Sequence, residues 1–338
     1  MAKYWLFRIA AAVVPLLPMR LARPLFTGIG VLVWLFAGGT RRRAEHNLRH
    51  IPALAANTGR LDKAVRGVFI TSALNYLDFL RGRQLTDEEI YAGWTTERED
   101  LLDEVMSRGK GVVILGSHFG NFEFASSRLG AIGYRMITPA ERIRPEKLFH
   151  LFCRLREHHN VHIVPADSRE SLREMIEWLR GGGVLLILAD RYVLGAGVEV
   201  PFFGEPAKIA TGPMALALRT GAPIITAFSW RTGPGRSHGF MAPLVWEAAE
   251  TSEKAASRQF TANGGALAST PTRARAADQT LQALGAFIQQ LEEVIAAHPE
   301  AWVSALTPVW EAEEKAAIPA EGVQGGGTSS RSIDTAKT

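Results

Sequence analysis

Hydrophobic positions change their spacing several times along this chain, and each change marks a different kind of element. The first 43 residues are apolar with little period: KYWLFRIAAAVVPLLP, then MRLARPLFTGIGVLVWLFAGG, then Arg41, Arg42 and Arg43. The unbroken apolar run from Pro24 to Gly39 falls short of the roughly 20 residues that cross a bilayer, and Pro15, Pro18 and Pro24 divide the segment. This predicts an interfacial helix pair or one tilted span, with Tyr4, Trp5 and Trp34 at headgroup depth. The arginine cluster would hold the rest of the chain on the cytoplasmic side. Two buried core helices are the plainer alternative. A cleaved signal fits less well, because Pro15, Pro18, Arg20 and Arg23 fall where its apolar region and small-residue cleavage site belong.

From Ala44 to about Leu85 apolar and polar residues recur at helical spacing. YAGWTTERED then leads into the helical stretch LLDEVMSRG and the short apolar run GVVILGSH, of the kind found in strands buried on both faces. YRMITP, VHIVPA, GVLLILAD, PIITAFSW and FMAPLVW are further strand candidates, with helices between, including Glu146 to about His158 and Ser168 to Arg180. Strands alternating with helices predict an α/β fold, a mainly parallel central sheet flanked by helices, preceded by N-terminal membrane-associated helices. The expected organisation is an anchor at 1–43, one domain at 44–310 with a loop at about 248–278, and a disordered tail at 311–338, where apolar surface is too scarce to offset ordering. No repeat of 20 to 50 residues is present.

Composition refines this only slightly. At 338 residues and 47% hydrophobic, the chain can bury a large core. Its 38 basic against 34 acidic residues suit phosphate-bearing partners, but an excess of +4 does not choose between lipid headgroups and nucleic acid. Cys153, the one cysteine, excludes an internal disulfide and sits in LFCRLR as a small apolar residue would. A nucleotide-binding domain lacks its motifs, since neither G-x4-G-K-[ST] nor a strand-linked G-x-G-x2-G is present. His158 and His162 in HHNVH have the spacing of a zinc helix, yet Asn160 is expected to end the helix between them and no third ligand is evident.

The chemistry concentrates in GVVILGSHFGNFEFASSRLG, where His118 follows a buried strand and Glu123 comes five residues later. Ligands of open parallel sheets bind at that strand end. Gly116 and Gly120 would let backbone approach a substrate, and a helix starting near Asn121 would point free N–H groups there. Five helical residues turn through about 500°, so His118 and Glu123 share a face only if His118 precedes the helix. A carboxylate beside the imidazole would then fix its tautomer and stabilise the imidazolium. The bland alternative makes His118 a turn residue and Glu123 a solvated one.

His118-Phe-Gly-Asn-Phe-Glu123 resembles the H-x4-D/E signature of the lipid A biosynthesis (lauroyl and myristoyl) acyltransferases, within the lysophospholipid acyltransferase superfamily. RRRAEHNLRHIP, LADRYVLGAGVEVPFFGEPAKIATGPMALALRTGAPII and HPEAWVSALTPVW resemble further segments of that family in order and spacing, so the resemblance runs from about residue 1 to 310. It implies acyl transfer from an acyl carrier protein or coenzyme A thioester to a hydroxyl of a membrane lipid acceptor, at the cytoplasmic face of an inner membrane, without metal, cofactor or nucleic acid. His118 would be the base and Glu123 its orienter, with Glu199 in GVEVPFFG an alternative orienter. Backbone N–H groups of Phe119 to Asn121 would receive the oxyanion, with Gly120 and Asn121 at the substrate. Among Arg142, Arg144, Lys147, Arg154 and Arg156, the last begins R-x3-N, similar to a family R-x3-G, and is the expected headgroup-binding arginine. Asp190 and Arg191 end a strand at the same sheet edge and are candidate substrate-binding residues. The FFG segment at Phe202 and TGP at Thr211 read as structural. The acceptor expected is a lipid A precursor or related glycolipid; a glycerophospholipid, a mannosylated phosphoinositide, or a non-catalytic lipid-binding role are the alternatives.

Overall fold

The apolar runs become strands. The computed structural model describes residues 1–192, 197–244 and 269–310. β1 (Trp94–Glu97), β2 (Val112–Gly116), β3 (Met136–Ala140), β4 (Val161–Pro165), β5 (Val184–Leu188), β8 (Ile224–Gly233) and β9 (Arg236–Pro243) form a seven-stranded sheet in the order β1-β9-β8-β2-β5-β3-β4. Every pairing is parallel except β8 with β9, a hairpin. β6 (Gly197–Phe202) and β7 (Glu205–Ala210) form a separate antiparallel hairpin. Its turn takes Phe203 and Gly204 through positive φ, a geometry the sequence does not advertise because Phe stands where Asn or Gly is usual.

β2 shows why an unbroken apolar run was needed: all five residues are buried, and alternate ones feed opposite layers. Val113 and Leu115 join the core under α5 (Thr58–Arg81), α10 (Arg169–Arg180), α11 (Gly212–Thr220) and α12 (Ser269–Ala297). Val112 and Ile114 join that under α7 (Asp100–Met106) and α8 (Phe122–Ala131). The expected loop at 248–278 is corrected in part. Residues 269–278 begin α12, whose apolar face supplies Leu284, Phe287 and Leu291 to the core. Residues 245–268 and the expected tail lie outside the described residues.

The prolines act unequally. Pro15 and Pro18 separate α1 (Ala2–Val13) from α2 (Met19–Phe36), but Pro24 sits inside α2 without ending it. Among the described residues α2 is the one helix long and apolar enough to cross a membrane, with mean hydropathy 1.4. One face carries Ala22, Phe26 and Gly30 and is buried. Gly30 allows the close approach to α5, since a Cβ there would lie 2.8 Å from Ile70 Cα. Leu21, Leu25, Ile29, Leu32 and Phe36 stand exposed on the other side. Arg41 to Arg43, just before the division expected after residue 43, lie within α3 (Gly38–Arg49).

Candidate active site

The parallel register of β2 and β5 creates the site. Gly116 pairs with Leu188, and the Ala189 N–H still donates to the Gly116 carbonyl at 2.9 Å. Two residues beyond that pair on each strand stand His118 and Asp190, so neighbouring strands deliver them side by side. His118 Nδ1 lies 2.8 Å from Asp190 Oδ1, which also accepts the His118 backbone N–H at 3.1 Å. Asp190 is 1% exposed. Burial alone would raise its pKa, but the His118 charge and the hydrogen bonds from His118 hold the carboxyl below the usual value. With Nδ1 so engaged, Nε2 is the nitrogen on the open side, and the imidazole packs edge-on against Phe122 with ring centroids 5.2 Å apart.

Glu123 does not fill the orienting position. It is the second residue of α8, and its carboxylate is paired with the Arg156 guanidinium, whose Nε lies 3.1 and 3.2 Å from the two oxygens. Arg156 ends α9 (Glu146–Arg156) and lies over the Phe79 ring, 5.1 Å from its centroid. The expected His118–Glu123 contact is therefore replaced by two pairs, His118 with Asp190 and Arg156 with Glu123. Glu199 is exposed on β6 opposite Lys208 and is no alternative.

His118 of the first pair and both members of the second face one cleft of about 680 Å³. His118, Phe122, Glu123 and Arg156 line it, together with Asp78, His158 and Arg191. Of the five basic residues between 142 and 156, Arg156 alone is in its wall; Arg142 pairs with Asp167 at the rim. Gly120 and Asn121 are placed elsewhere than expected. Gly120 has φ +57, and a Cβ there would fall 1.8 Å from the Ser229 carbonyl oxygen, so glycine is required for packing against β8 rather than for substrate approach. Asn121 is buried, with its amide nitrogen donating to Ser237 Oγ at 2.8 Å. The Phe119 and Gly120 N–H groups donate to the Ser117 and Ala301 carbonyls, each at 2.7 Å, and neither is free for an oxyanion. In the first turn of α8 the Phe124 N–H donates to the Asn121 carbonyl at 2.9 Å, whereas the Phe122 and Glu123 amides come too early in the helix for an intrahelical acceptor.

A second, apolar pocket of about 60 Å³ lies behind Phe122. Phe122, Ser126, Leu186 and Leu188 border both spaces, and Trp94, Ala125, Leu129, Phe228 and Met241 line the inner one. His158 and His162 diverge: His162 sits on β4 against Glu174, whereas His158 lines the cleft, its pKa lowered to about 4 by burial and then by His159. Phe202 is wholly buried against Trp302 and Trp310, and Gly212 and Pro213 open α11 at the cleft. Sequence reasoning passed over Asp78, on α5, whose carboxyl is pushed up by burial against the pull of Arg231. No local motif marks it, because only the tertiary pairing of α5 with Arg231 of β8 and the packing of α5 on α8 bring it to the cleft.

A mainly parallel α/β sheet that sets a buried carboxylate–imidazole pair at the carboxyl ends of adjacent strands, open to a cleft with an apolar annex, is the architecture of an enzyme site. Residues 1–310 match the bacterial lipid A biosynthesis acyltransferases, and the chain belongs to that family. It is also similar to phosphatidylinositol mannoside acyltransferases. Those of Mycobacterium tuberculosis, strains CDC 1551 / Oshkosh and H37Rv, are each 35% identical over 138 residues, covering 40% of this chain and 44% of theirs. The Mycolicibacterium smegmatis protein of that name is 31% identical over 138 residues, 40% of this chain and 45% of its own. The match thus spans under half the length of these relatives.

Proposed function

We propose that this protein transfers a fatty acyl group from an acyl thioester, carried on coenzyme A or acyl carrier protein, to a hydroxyl of a phosphate-bearing glycolipid at a membrane surface. The observation that carries the reading is His118, held by Asp190 at 2.8 Å with its other nitrogen toward a cleft that also holds Arg156.

His118 Nε2 takes the acceptor hydroxyl proton, and the oxygen attacks the thioester carbonyl directly. The oxyanion is met by the Phe122 and Glu123 amides at the positive end of α8, the carbon–sulfur bond breaks, and the imidazolium returns its proton to the leaving thiolate. Arg156, pre-positioned by Glu123, receives the acceptor phosphate. The apolar pocket behind Phe122 takes part of the acyl chain, opening further as the chain enters. Exposed Leu21, Leu25, Leu32 and Phe36 seat α2 in the interface, with its buried face still on α5. That arrangement supports interfacial seating over crossing, and the reading places the site at the cytoplasmic face of the membrane.

The named relatives favour a mannosylated phosphoinositide as acceptor; the family match favours a lipid A precursor as the second reading. The test is acyl transfer from a labelled thioester into lipids of membranes holding the native protein or its His118→Ala variant at matched expression, with products resolved by mass. A glycolipid product lost in the variant supports the reading, and its mass names the acceptor. Equal product from both rejects it.

A further inference from the structure

The chain beyond α12 returns to the site as a strap. Two short 3₁₀ turns, 299–301 and 303–306, flank Trp302, which is fully buried and forms an isolated antiparallel bridge with Phe119. Gly120 N–H donates to the Ala301 carbonyl at 2.7 Å, and Val303 N–H donates to the His118 carbonyl at 2.8 Å. The loop carrying His118 is thus hydrogen-bonded to the strap on both sides of residue 119. The strap is held from behind as well. Asn47, itself buried, donates to the carbonyls of Ala305 and Thr307 at 2.9 and 2.8 Å, and Thr71 donates to that of Glu300 at 3.0 Å.

Ser304 follows in the strap, 1% exposed. Its Oγ has no hydrogen bond of ordinary geometry, and neither does the second carboxylate oxygen of Asp190, Oδ2, which is equally buried. Leaving both unpaired carries a desolvation cost that one bond between them removes. Ser304 adjoins Val303, whose N–H holds the His118 carbonyl, and the His118 N–H in turn holds Asp190, so the two orphaned oxygens belong to one chain of contacts. We propose that Ser304 is a positioning residue: its O–H donates to Asp190 Oδ2 while Oδ1 holds His118, so one strap sets both the place of the imidazole and the strength of its carboxylate partner. A donor on Oδ2 draws charge away from Oδ1. Without it the carboxylate binds the imidazole proton more tightly, and the base form becomes available only at higher pH.

The test compares full-length wild type, Ser304→Ala and Ser304→Cys, the last nearly isosteric and a weaker donor, with folding checked by thermal melting. The expected Ser304→Ala result is a downfield move of the His118 Nδ1–H proton in histidine-labelled NMR spectra. With it come an acid limb of the kcat/KM profile displaced to higher pH and a kcat lower by about tenfold at unchanged KM, the size of one lost hydrogen bond to a charge. Ser304→Cys falls between, and decides the matter by the same resonance if Ser304→Ala does not fold. A resonance that stays in place overturns the proposal. The kinetic arm rests on the acyl-transfer reading, whereas the resonance does not. A moved resonance in a protein that transfers no acyl group would therefore uphold the strap and reject that function.

Discussion

His118 and Asp190 occupy matching positions two residues past the last paired residues of adjacent parallel strands, and they meet at 2.8 Å because the register of β2 on β5 sets them side by side. That places the orienting carboxylate 72 residues from the histidine rather than five. It leaves Glu123, the acidic residue of the H-x4-E segment, bound to Arg156.

Asp190→Asn is expected to lower kcat by about 10³ to 10⁴ with KM nearly unchanged, because the amide presents its N–H to Nδ1 and selects the wrong tautomer. Glu123→Gln should lower kcat by about tenfold or less and act mainly on acceptor KM. Steady-state kinetics on the two variants decides it, and the reverse ranking would return the orienting role to Glu123.

Arg156→Lys keeps the charge but loses the fork that grips both Glu123 and a phosphate. Acceptor KM is expected to rise about tenfold while the KM for the thioester stays put. Titrating each substrate separately would expose an error, since a rise confined to the thioester would put the arginine at the donor.

His158 carries a pH dependence of stability. Its pKa in the fold is lowered to about 4 from 6.5, so between those values the unfolded chain takes up a proton that the folded one refuses. Stability is therefore full above about pH 6.5, falls as pH drops toward 4, and levels off below. His158→Gln should flatten that slope in denaturant titrations run at stepped pH, and an unchanged slope would assign it to other groups.

Gly120→Ala is expected to cost about 3 kcal/mol or more, since its Cβ would lie 1.8 Å from the Ser229 oxygen at a φ of +57. Thermal melting of the purified variant measures it. A loss below about 1 kcal/mol would mean that the loop and β8 can separate without consequence.

Ala125→Leu narrows the pocket behind Phe122 without touching His118. Offered an equal mixture of thioesters, the variant is expected to shift toward shorter acyl chains. An unaltered product distribution would place the chain elsewhere in the cleft.

Much of the fold was legible because it is written in local period. β2 and β5 are runs of apolar residues bounded by glycine or by polar residues, and such runs have few stable homes other than the middle of a parallel sheet. His118 was legible as a strand-end residue, and Arg156 as the arginine that reaches the cleft. The β6–β7 hairpin was missed because its turn uses Phe203 where a turn residue is usual, and the start of α12 because small polar residues hide its helical face.

Partnership was not legible. Sequence spacing favoured Glu123 for His118, yet α8 turns that carboxylate toward α9, while strand register carries Asp190 to the imidazole. Gly120 stood out in the sequence as a residue for substrate approach, but the proximity of β8 made it a packing requirement. The sequence by itself determined which segments are strands and helices, which strand end carries the histidine, and that the N-terminal helices present an apolar surface. Tertiary structure alone decided which charges pair, which amides remain free and what closes behind Asp190. Secondary structure arises from neighbours a few residues apart, whereas pairing in the site depends on how strands 72 residues apart are aligned and on a strap that arrives at residue 301.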